Sequence, residues 1–274
     1  HTKVRTKEEI VSNWLPRYTG LPLESFRKYI LLTNFDNYLD IFCQQTGGTI
    51  PVRDKAMKVA VAVAIVPGCT RRAMTRQVDG GDDGRGHGHA DALSVEMSLR
   101  GKTLLADSGT YTYHESKEMR DYFRSTKAHN TLTVDDRSSS EPGASFGWRS
   151  KANAEAVGWL SNDRFDFFEG RHDGYRRLGS ADDHTRSILF LKQDYFIVRD
   201  HIKAAGDHEH SLNFHFTPAE RTSLDTEGDF AAGDDWRIFT FGDGGRWQQN
   251  ESWVSNNYGN RTNAPFLRFI AKGR

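Results

Sequence analysis

The fold class is most clearly indicated by residues 187–198, which read Ser-Ile-Leu-Phe-Leu-Lys-Gln-Asp-Tyr-Phe-Ile-Val. Two apolar runs flank the polar residues Lys192-Gln193-Asp194, and this arrangement predicts a β-hairpin. Outward from the hairpin, apolar residues alternate or cluster in further short runs, which predict further strands. These runs lie at Val59–Ile65, Leu93–Leu99, Leu132–Val134, Phe165–Phe168, Leu212–Phe216, Trp236–Ile238 and Phe266–Ile270. So many short strands predict a mainly β protein built on a large antiparallel β-sandwich.

The chain from about Glu8 to Phe42 has a different pattern, with apolar residues at spacings of three and four. This period is typical of helices, and proline and glycine residues divide the segment into short pieces. We therefore predict a short α-helical segment over residues 1–52 and the sandwich domain over residues 53–274. The sequence starts at His1 and contains neither an initiator methionine nor an apolar signal segment, so we expect a processed or truncated piece of a longer chain.

The charge balance excludes some classes of protein. The 274 residues contain 37 Lys+Arg and 37 Asp+Glu, so the formal net charge is zero and no nucleic-acid partner is expected. The mean hydropathy is −0.69. The longest apolar stretch, Val59 to Val66, is far shorter than the roughly 20 residues that cross a bilayer, so we expect no membrane insertion. Cys43 and Cys69 either pair in an oxidising compartment or remain free thiols, and the sequence leaves both open.

The eleven histidines are the unusual feature of the composition. His87 and His89 are two residues apart, so both imidazoles would share one face of an extended backbone. The glycines that alternate with them leave that face uncrowded. Asp107 follows a predicted strand, and His129 lies just before another. Two or three imidazoles with one carboxylate at strand ends suit Zn²⁺. The alternative is that these histidines cap turns and bond to backbone carbonyls.

Other histidines are predicted to be structural. His184 and Arg186 lie two apart on one predicted strand, and we expect them to pair with acids across the sandwich. His114 and His172 are predicted to be exposed loop residues.

Three motifs follow one another in order along the chain. They are His-Gly-His-Ala-Asp-Ala-Leu-Ser (87–94), Leu-Leu-Ala-Asp-Ser-Gly-Thr-Tyr-Thr-Tyr (104–113) and Tyr-Phe-Arg-Ser-Thr-Lys-Ala-His-Asn-Thr (122–131). Together they resemble the heparinase II/III family of polysaccharide lyases, over roughly residues 80–220. The resemblance implies an α/α toroid followed by an antiparallel β-sandwich, with an acidic polysaccharide bound between them. The predicted helical segment would then be the end of the toroid.

Residue by residue, the resemblance implies a catalytic histidine and a metal site on the sandwich. His87 matches the catalytic histidine, and His89, Asp107 and His129 match the ligands of a structural Zn²⁺. Spacing alone would instead place His87 and His89 on one metal, as in a zinc hydrolase, and this stays an alternative. The family's reaction is β-elimination at a uronic acid, in which His87 would remove the C5 proton or polarise the adjacent carboxylate.

A cleft for an anionic sugar chain needs cations and aromatic rings. Arg124 would pair with a carboxylate or sulfate of the substrate, and Tyr111 and Tyr113 would stack on sugar rings. The alternative for Arg124 is a structural ion pair with Glu118 or Asp121. The alternative for the tyrosines is packing in the core.

The resemblance also sets expectations about partners and location. The expected ligand is an acidic polysaccharide or oligosaccharide, and the expected partner is the missing N-terminal α/α toroid, which carries further catalytic groups in the family. A second copy of the chain is a further candidate partner, and we expect a periplasmic or secreted location. A non-catalytic carbohydrate-binding sandwich is the alternative function, because most of the toroid has no counterpart in this sequence.

Overall fold

Antiparallel strands dominate the computed structural model, which describes residues 58–65, 88–99, 102–161, 165–179, 181–191, 195–228, 230–234, 236–241 and 245–273. All of these residues belong to one compact unit, Ala56–Arg274. The predicted helical segment, His87, Cys43 and Cys69 lie outside the described residues. The domain boundary after residue 52 therefore stays a prediction.

The described residues form sixteen strands, one α-helix and two 3₁₀ turns. In chain order the strands are β1 (Lys58–Ile65), β2 (Met97–Leu99), β3 (Lys102–Leu105), β4 (Leu132–Val134), β5 (Glu141–Pro142), β6 (Trp148–Ser150), β7 (Ala154–Ser161), β8 (Phe165–His172), β9 (Ala181–Leu191), β10 (Tyr195–Ala204), β11 (His208–His215), β12 (Ser223–Leu224), β13 (Phe230–Ala232), β14 (Trp236–Phe241), β15 (Gly245–Asn257) and β16 (Asn260–Gly273). The helix α1 is Lys117–Phe123, and the 3₁₀ turns are Thr126–Ala128 and Arg176–Leu178.

Eight strands pair in the order β12-β13-β14-β1-β10-β9-β8-β7 to form the larger sheet. Its pairings are antiparallel throughout. The predicted hairpin is the β9–β10 pair, in which Leu191 lies opposite Tyr195. β1 lies between β10 and β14, so the first described strand occupies the interior of the sheet.

The smaller sheet has four strands in the order β15-β16-β11-β4. Apolar side chains from both sheets form one core, in which the rings of Phe216 and Trp236 stack with their centroids 4.7 Å apart. Removing such side chains from water contributes about 1.5–3 kcal/mol each, and this burial holds the two sheets face to face. The predicted antiparallel β-sandwich is therefore confirmed.

One predicted strand is shorter than expected. Of the run Leu93–Leu99 only Met97–Leu99 is a strand, which pairs with β3 in a separate two-stranded ribbon. Leu93 takes a φ of 62°, in a turn where the N–H of Ser94 donates to the carbonyl oxygen of Asp91 at 2.8 Å. The side chain of Leu93 is buried nevertheless. Apolar spacing therefore could not separate this turn from a strand.

The helix α1 leads the chain toward the residues of the third sequence motif. Its N-cap is Ser116, whose Oγ accepts from the N–H of Met119 at 3.2 Å, and Glu118 in the first turn suits the positive end of the helix dipole. Phe123 anchors the other end of the helix in the interior. The chain then enters the 3₁₀ turn, which is followed at once by His129.

Candidate metal centre

His89 is held beside the end of α1. The N–H of the next residue, Ala90, donates to the carbonyl oxygen of Arg124 at 2.8 Å, and Nε2 of His89 lies 3.2 Å from Oγ1 of Thr110. Burial, together with the positive charge of His129, lowers the pKa of His89 to about 3. The ring is therefore neutral at pH 7 and has a nitrogen lone pair to offer.

Asp107 follows β3 by two residues, and both of its carboxylate oxygens accept hydrogen bonds. Oδ1 accepts from the N–H of Gly109 at 2.7 Å, and Oδ2 lies 2.8 Å from Nδ1 of His129. Burial acts to raise the pKa of Asp107, but the charge of His129 and these hydrogen bonds hold the pKa well below its usual range. The group is therefore a carboxylate at neutral pH.

Gly109 is required next to this carboxylate. Its φ is 73°, and a Cβ at this position would lie 2.1 Å from the carbonyl oxygen of Ser255. The backbone of residues 108–109 therefore runs against β15, where the N–H of Ser255 donates to the carbonyl oxygen of Ser108 at 2.8 Å. Only glycine combines this φ with so close an approach.

His129 is completely buried. Its Nδ1 bonds to Asp107, whereas its buried Nε2 makes no regular hydrogen bond to any of the described residues. Burial acts to lower the pKa of His129, but the carboxylate of Asp107 outweighs it and raises the pKa above its usual value. A buried nitrogen without a partner is costly unless something binds it, and a metal ion is one such group.

Four side chains converge in this region. One ligand atom from each of His89, Asp91, Asp107 and His129 lies within 4.8 Å of all the others. His89 offers a neutral imidazole nitrogen, and a metal ion would displace the proton from the ring of His129. Together with the carboxylate oxygens these nitrogens form a donor set that suits Zn²⁺, and four donors match its tetrahedral preference. The unpartnered nitrogen of His129 agrees with this assignment. We call these four residues the metal cluster.

Asp91 is the member of the metal cluster that sequence reasoning missed. It is buried and lies two residues after His89 in the first motif. A signal was available, because side chains two apart on an extended backbone point to the same face. Asp91 follows His89 at the same two-residue spacing at which His89 follows His87.

Asn130 and His215 tie together the segments that carry the cluster. Nδ2 of Asn130 donates to the carbonyl oxygen of Ala106 at 3.0 Å, while its Oδ1 accepts from the backbone N–H of His215 at 2.6 Å. Nε2 of His215 lies 2.8 Å from the carbonyl oxygen of Lys127. Burial lowers the pKa of His215 to about 3, so this neutral ring serves as a structural donor.

Arg186 connects two more parts of the same region. Its Nη1 donates to the carbonyl oxygens of Leu93 at 2.8 Å and of Asn130 at 2.7 Å. Its Nε and Nη2 donate to the two carboxylate oxygens of Asp200 at 2.8 and 3.0 Å. Both partners are buried, so this is a bidentate ion pair in the interior.

His172 and His184 extend this network away from the metal cluster. The N–H of Gly174 donates to Nδ1 of His172, which leaves the proton of the neutral ring on Nε2, 3.0 Å from Nδ1 of His184. Nε2 of His184 in turn lies 2.5 Å from Oδ1 of Asp200. Burial lowers the pKa of both rings. The prediction that His172 is an exposed loop residue is therefore wrong, whereas His114 is exposed as predicted.

The prediction for His184 and Arg186 is correct in its chemistry and wrong in its geometry. Both side chains pair with an acid, but Asp200 lies on β10, the strand next to β9 in the same sheet. The pairing therefore stabilises one sheet from within and does not cross the sandwich.

Arg124 is not placed to bind a substrate. Its side chain is 0% exposed, and its nitrogens donate to Asp121 and to the carbonyl oxygens of Ala144, Ser145 and Gly147. All of its N–H groups are used within the chain. The alternative interpretation, an ion pair with Asp121, is the one that the structure shows.

Tyr111 and Tyr113 are both half-buried and lie at the surface next to the metal cluster. The ring of Tyr111 packs 5.9 Å from that of Phe123, and the ring of Tyr113 lies between those of Phe146 and Tyr258. Each tyrosine thus has a packing role and an exposed part. Their roles in substrate binding stay proposals.

The fold and the cluster define an antiparallel β-sandwich with a candidate metal centre built on the loops beside its smaller sheet. The sequence pattern of the family described as Heparinase II/III-like, C-terminal matches residues 63–273. The chain therefore belongs to this family.

Two curated relatives share part of this sequence. A heparin-sulfate lyase of Pedobacter heparinus is 24% identical over 165 residues, which cover 59% of this chain and 23% of that protein. A heparin-sulfate lyase of Bacteroides stercoris is 25% identical over 198 residues, which cover 68% of this chain and 27% of that protein. The aligned part therefore spans about a quarter of the length of the curated relatives.

Solved structures share the fold. The crystal structure of a heparan sulfate lyase from Pedobacter heparinus superposes with a TM-score of 0.59 at 19% identity and covers 69% of this chain and 29% of that one. A heparinase III structure superposes with a TM-score of 0.57 at 18% identity and covers 99% of this chain and 40% of that one. Among the described residues, none of the helices is long and apolar enough to cross a membrane.

Proposed function

We propose that this chain is the C-terminal part of a polysaccharide lyase that cleaves a uronic-acid-containing acidic polysaccharide by β-elimination. The observation that carries the proposal is the metal cluster on the loops of a heparinase II/III-like sandwich, formed by residues of all three motifs. Support also comes from the two curated relatives, both of which are heparin-sulfate lyases. Their activity extends to this chain only as part of the proposal.

The reaction sets the demands on the site. A base takes the proton from C5 of the uronic acid, a double bond forms between C4 and C5, and the bond from C4 to the glycosidic oxygen breaks. The departing oxygen takes up a proton and becomes the hydroxyl of the released chain. The negative charge that develops on the adjacent carboxylate must be stabilised, and the proton acceptor must be available near neutral pH. We assign the proton transfer, or the polarisation of that carboxylate, to His87, which is two residues from His89 in the first motif.

We assign a structural Zn²⁺ to the metal cluster, with His89, Asp107 and His129 as ligands and Asp91 as the candidate for the fourth position. When bound, zinc supplies strong bonds to imidazole nitrogens and carboxylate oxygens. The chain's own residues do the rest: they hold the segment that contains His89 and Asp91 against the segments around Asp107 and His129. Thr110, which lies 3.2 Å from His89, keeps that ring oriented.

The remaining assignments follow from the same proposal. We propose that residues 1–52 belong to the end of an α/α toroid, that the sandwich begins at residue 53, and that the toroid is the partner of the sandwich. We further propose a periplasmic or secreted location for the protein.

The proposal is tested with the whole gene product and with its His87→Ala and His114→Ala variants. Each is incubated with heparan sulfate and with alginate, and the near-ultraviolet absorbance of unsaturated uronates is followed. We expect activity in the wild type and in His114→Ala, whose replaced histidine is exposed. We expect its loss in His87→Ala. Full activity in His87→Ala would remove that residue from the chemistry, and glycan binding without product from the wild type would indicate a non-catalytic carbohydrate-binding sandwich.

Elemental analysis of the same variant distinguishes a zinc hydrolase from the lyase. If His87 and His89 shared one metal, the His87→Ala protein would lose zinc together with its activity. We expect the variant to keep its zinc, because the four members of the metal cluster are all retained.

A further inference from the structure

Exposed aromatic rings gather beside the end of the β15–β16 hairpin. Phe146 is 40% exposed and Tyr258 is 53% exposed, and Tyr113 lies between them. Next to them, Tyr111 and Trp253 face the guanidinium of Arg261. We call this set the aromatic patch: Tyr111, Tyr113, Phe146, Trp253, Tyr258 and Arg261. Single exposed apolar side chains are common on protein surfaces, but a contiguous group of them beside a charged residue is typical of a binding site.

The rings of the patch are held in a fixed arrangement. The ring of Tyr113 is stacked with those of Phe146 and Tyr258, with both centroid distances at 5.5 Å and interplanar angles of 28° and 26°. The hydroxyl oxygen of Tyr258 accepts from the backbone N–H of Tyr113 at 3.3 Å. Because these rings are already ordered, a ligand that packs against them does not have to immobilise them, and little binding free energy is lost in this way.

Arg261 gives the patch a positive charge. Its guanidinium lies 4.3 Å from the ring centroid of Trp253 and 5.2 Å from that of Tyr111, and its Nη1 donates to the sulfur of Met119 at 2.9 Å. The residue is exposed all the same. A cation fixed between two rings and open to solvent suits a carboxylate or sulfate ligand.

The aromatic patch is connected to the metal cluster by short stretches of backbone. The carbonyl oxygen of Tyr111 accepts from the N–H of Gly259 at 2.8 Å, next to Tyr258 in the hairpin end. One residue before Tyr111, Thr110 bonds to His89 of the cluster. The segment 107–113 therefore runs from a cluster ligand directly into the patch.

We propose that the aromatic patch is a binding subsite for an acidic oligosaccharide, with Tyr258 packing against a sugar ring and Arg261 pairing with its carboxylate or sulfate. The inference rests on the proposed function. The patch would bind sugar units of the substrate that are distant from the bond that is cleaved. Aromatic faces accommodate the C–H groups of sugars, and the cation selects acidic over neutral chains.

The test is calorimetric titration of the full chain with a heparan sulfate octasaccharide and with neutral maltooctaose. The variants are Tyr258→Ala, Arg261→Ala and Tyr258→Phe, with Trp159→Ala as the matched control. Trp159 is 55% exposed but lies on β7, the edge strand of the larger sheet. Thermal unfolding of each variant establishes that it folds.

We expect Tyr258→Ala and Arg261→Ala to weaken octasaccharide binding roughly three- to tenfold. Tyr258→Phe keeps the ring but loses the hydrogen bond to Tyr113, so it is expected to weaken binding less than Tyr258→Ala. Trp159→Ala is expected to bind like the wild type. Maltooctaose is expected not to bind. If the wild type binds or cleaves the acidic chain while both alanine variants match it, the subsite is wrong and the lyase proposal stands. If the wild type neither binds nor cleaves any acidic chain, both proposals are wrong.

Discussion

Nη1 of Arg186 donates to the carbonyl oxygen of Asn130 at 2.7 Å, and Asn130 directly follows His129. The same nitrogen donates to the carbonyl oxygen of Leu93, in the turn just after Asp91. One guanidinium therefore fixes the distance between two segments that carry members of the metal cluster. Its partner Asp200 holds it in place from the neighbouring strand.

Replacing Arg186 by methionine is expected to affect both stability and metal binding. The change leaves the carboxylate of Asp200 buried without its main partner, which costs about 3–5 kcal/mol of the free energy of unfolding. Because the two segments are then no longer held together, the zinc affinity should fall about 10–100-fold. Urea denaturation and competition with a zinc-binding dye measure the two effects. Arg246→Met, at an exposed arginine, is the control, and unchanged zinc affinity in Arg186→Met would contradict the positioning role.

Gly109→Ala is expected to be far more damaging than Gly228→Ala. Both glycines have a positive φ, 73° and 74°, but only at Gly109 would a Cβ meet another residue, the carbonyl oxygen of Ser255. The φ penalty alone is about 1–2 kcal/mol. We expect Gly228→Ala to lose about that much stability and Gly109→Ala to lose more than about 3 kcal/mol, together with zinc binding. Equal losses in urea denaturation would mean that the backbone at Gly109 moves away from β15 easily.

Asp91→Asn tests the fourth position of the metal cluster. If the carboxylate of Asp91 binds the metal, its loss should reduce zinc affinity at least about tenfold, while Asp182→Asn, at an exposed aspartate, should leave it unchanged. His129→Ala should abolish binding. X-ray absorption of the zinc-loaded proteins gives the number of ligands directly. An unchanged ligand set in Asp91→Asn would leave only His89, Asp107 and His129.

Buried neutral histidines predict that the protein loses stability in acid. The pKa of His215 is about 3 in the folded protein, whereas that of an unfolded histidine is about 6.5. As the pH falls below about 6.5, the unfolded chain takes up a proton that the folded chain does not, so the free energy of unfolding falls. The slope reaches about 1.4 kcal/mol per pH unit for each such histidine, and this stability is fully present only above pH 6.5.

Urea denaturation at several pH values from 7.5 to 5 measures this slope. His215→Gln should reduce it by about one proton, and His114→Gln, at an exposed histidine, is the comparison variant. An unchanged slope in His215→Gln would show that the buried ring already carries a proton in the folded state.

The sequence predicted the parts of this structure that depend on local patterns. The β9–β10 hairpin follows from two apolar runs around three polar residues. The grouping of His89, Asp107 and His129 is implied by the resemblance of the three motifs to a known family and not by spacing, and these side chains do lie close together. Leu93 shows the limit of such patterns, because a buried apolar residue in a turn has the same spacing as one in a strand.

The errors concern contacts between residues distant in the chain. The sequence predicts that Arg124 pairs with an acidic group of the substrate, but its acceptors include the carbonyl oxygens of Ala144 and Gly147, some twenty residues later in the chain. His172 was predicted to be exposed, but the register of β8 and β9 places it opposite His184. Backbone acceptors and strand register are set by the tertiary fold, so they leave no trace in residue spacing.

The buried network around Asp200 is electrically neutral as a whole. It contains one cation, Arg186, one anion, Asp200, and the two uncharged rings of His172 and His184. Each ring accepts on one nitrogen and donates from the other, so the ring dipoles align with their positive ends toward the carboxylate. One arginine is therefore enough to balance the ionised acid inside the larger sheet. Its remaining nitrogen, Nη1, is free to donate to the backbone of the loops that carry the metal cluster.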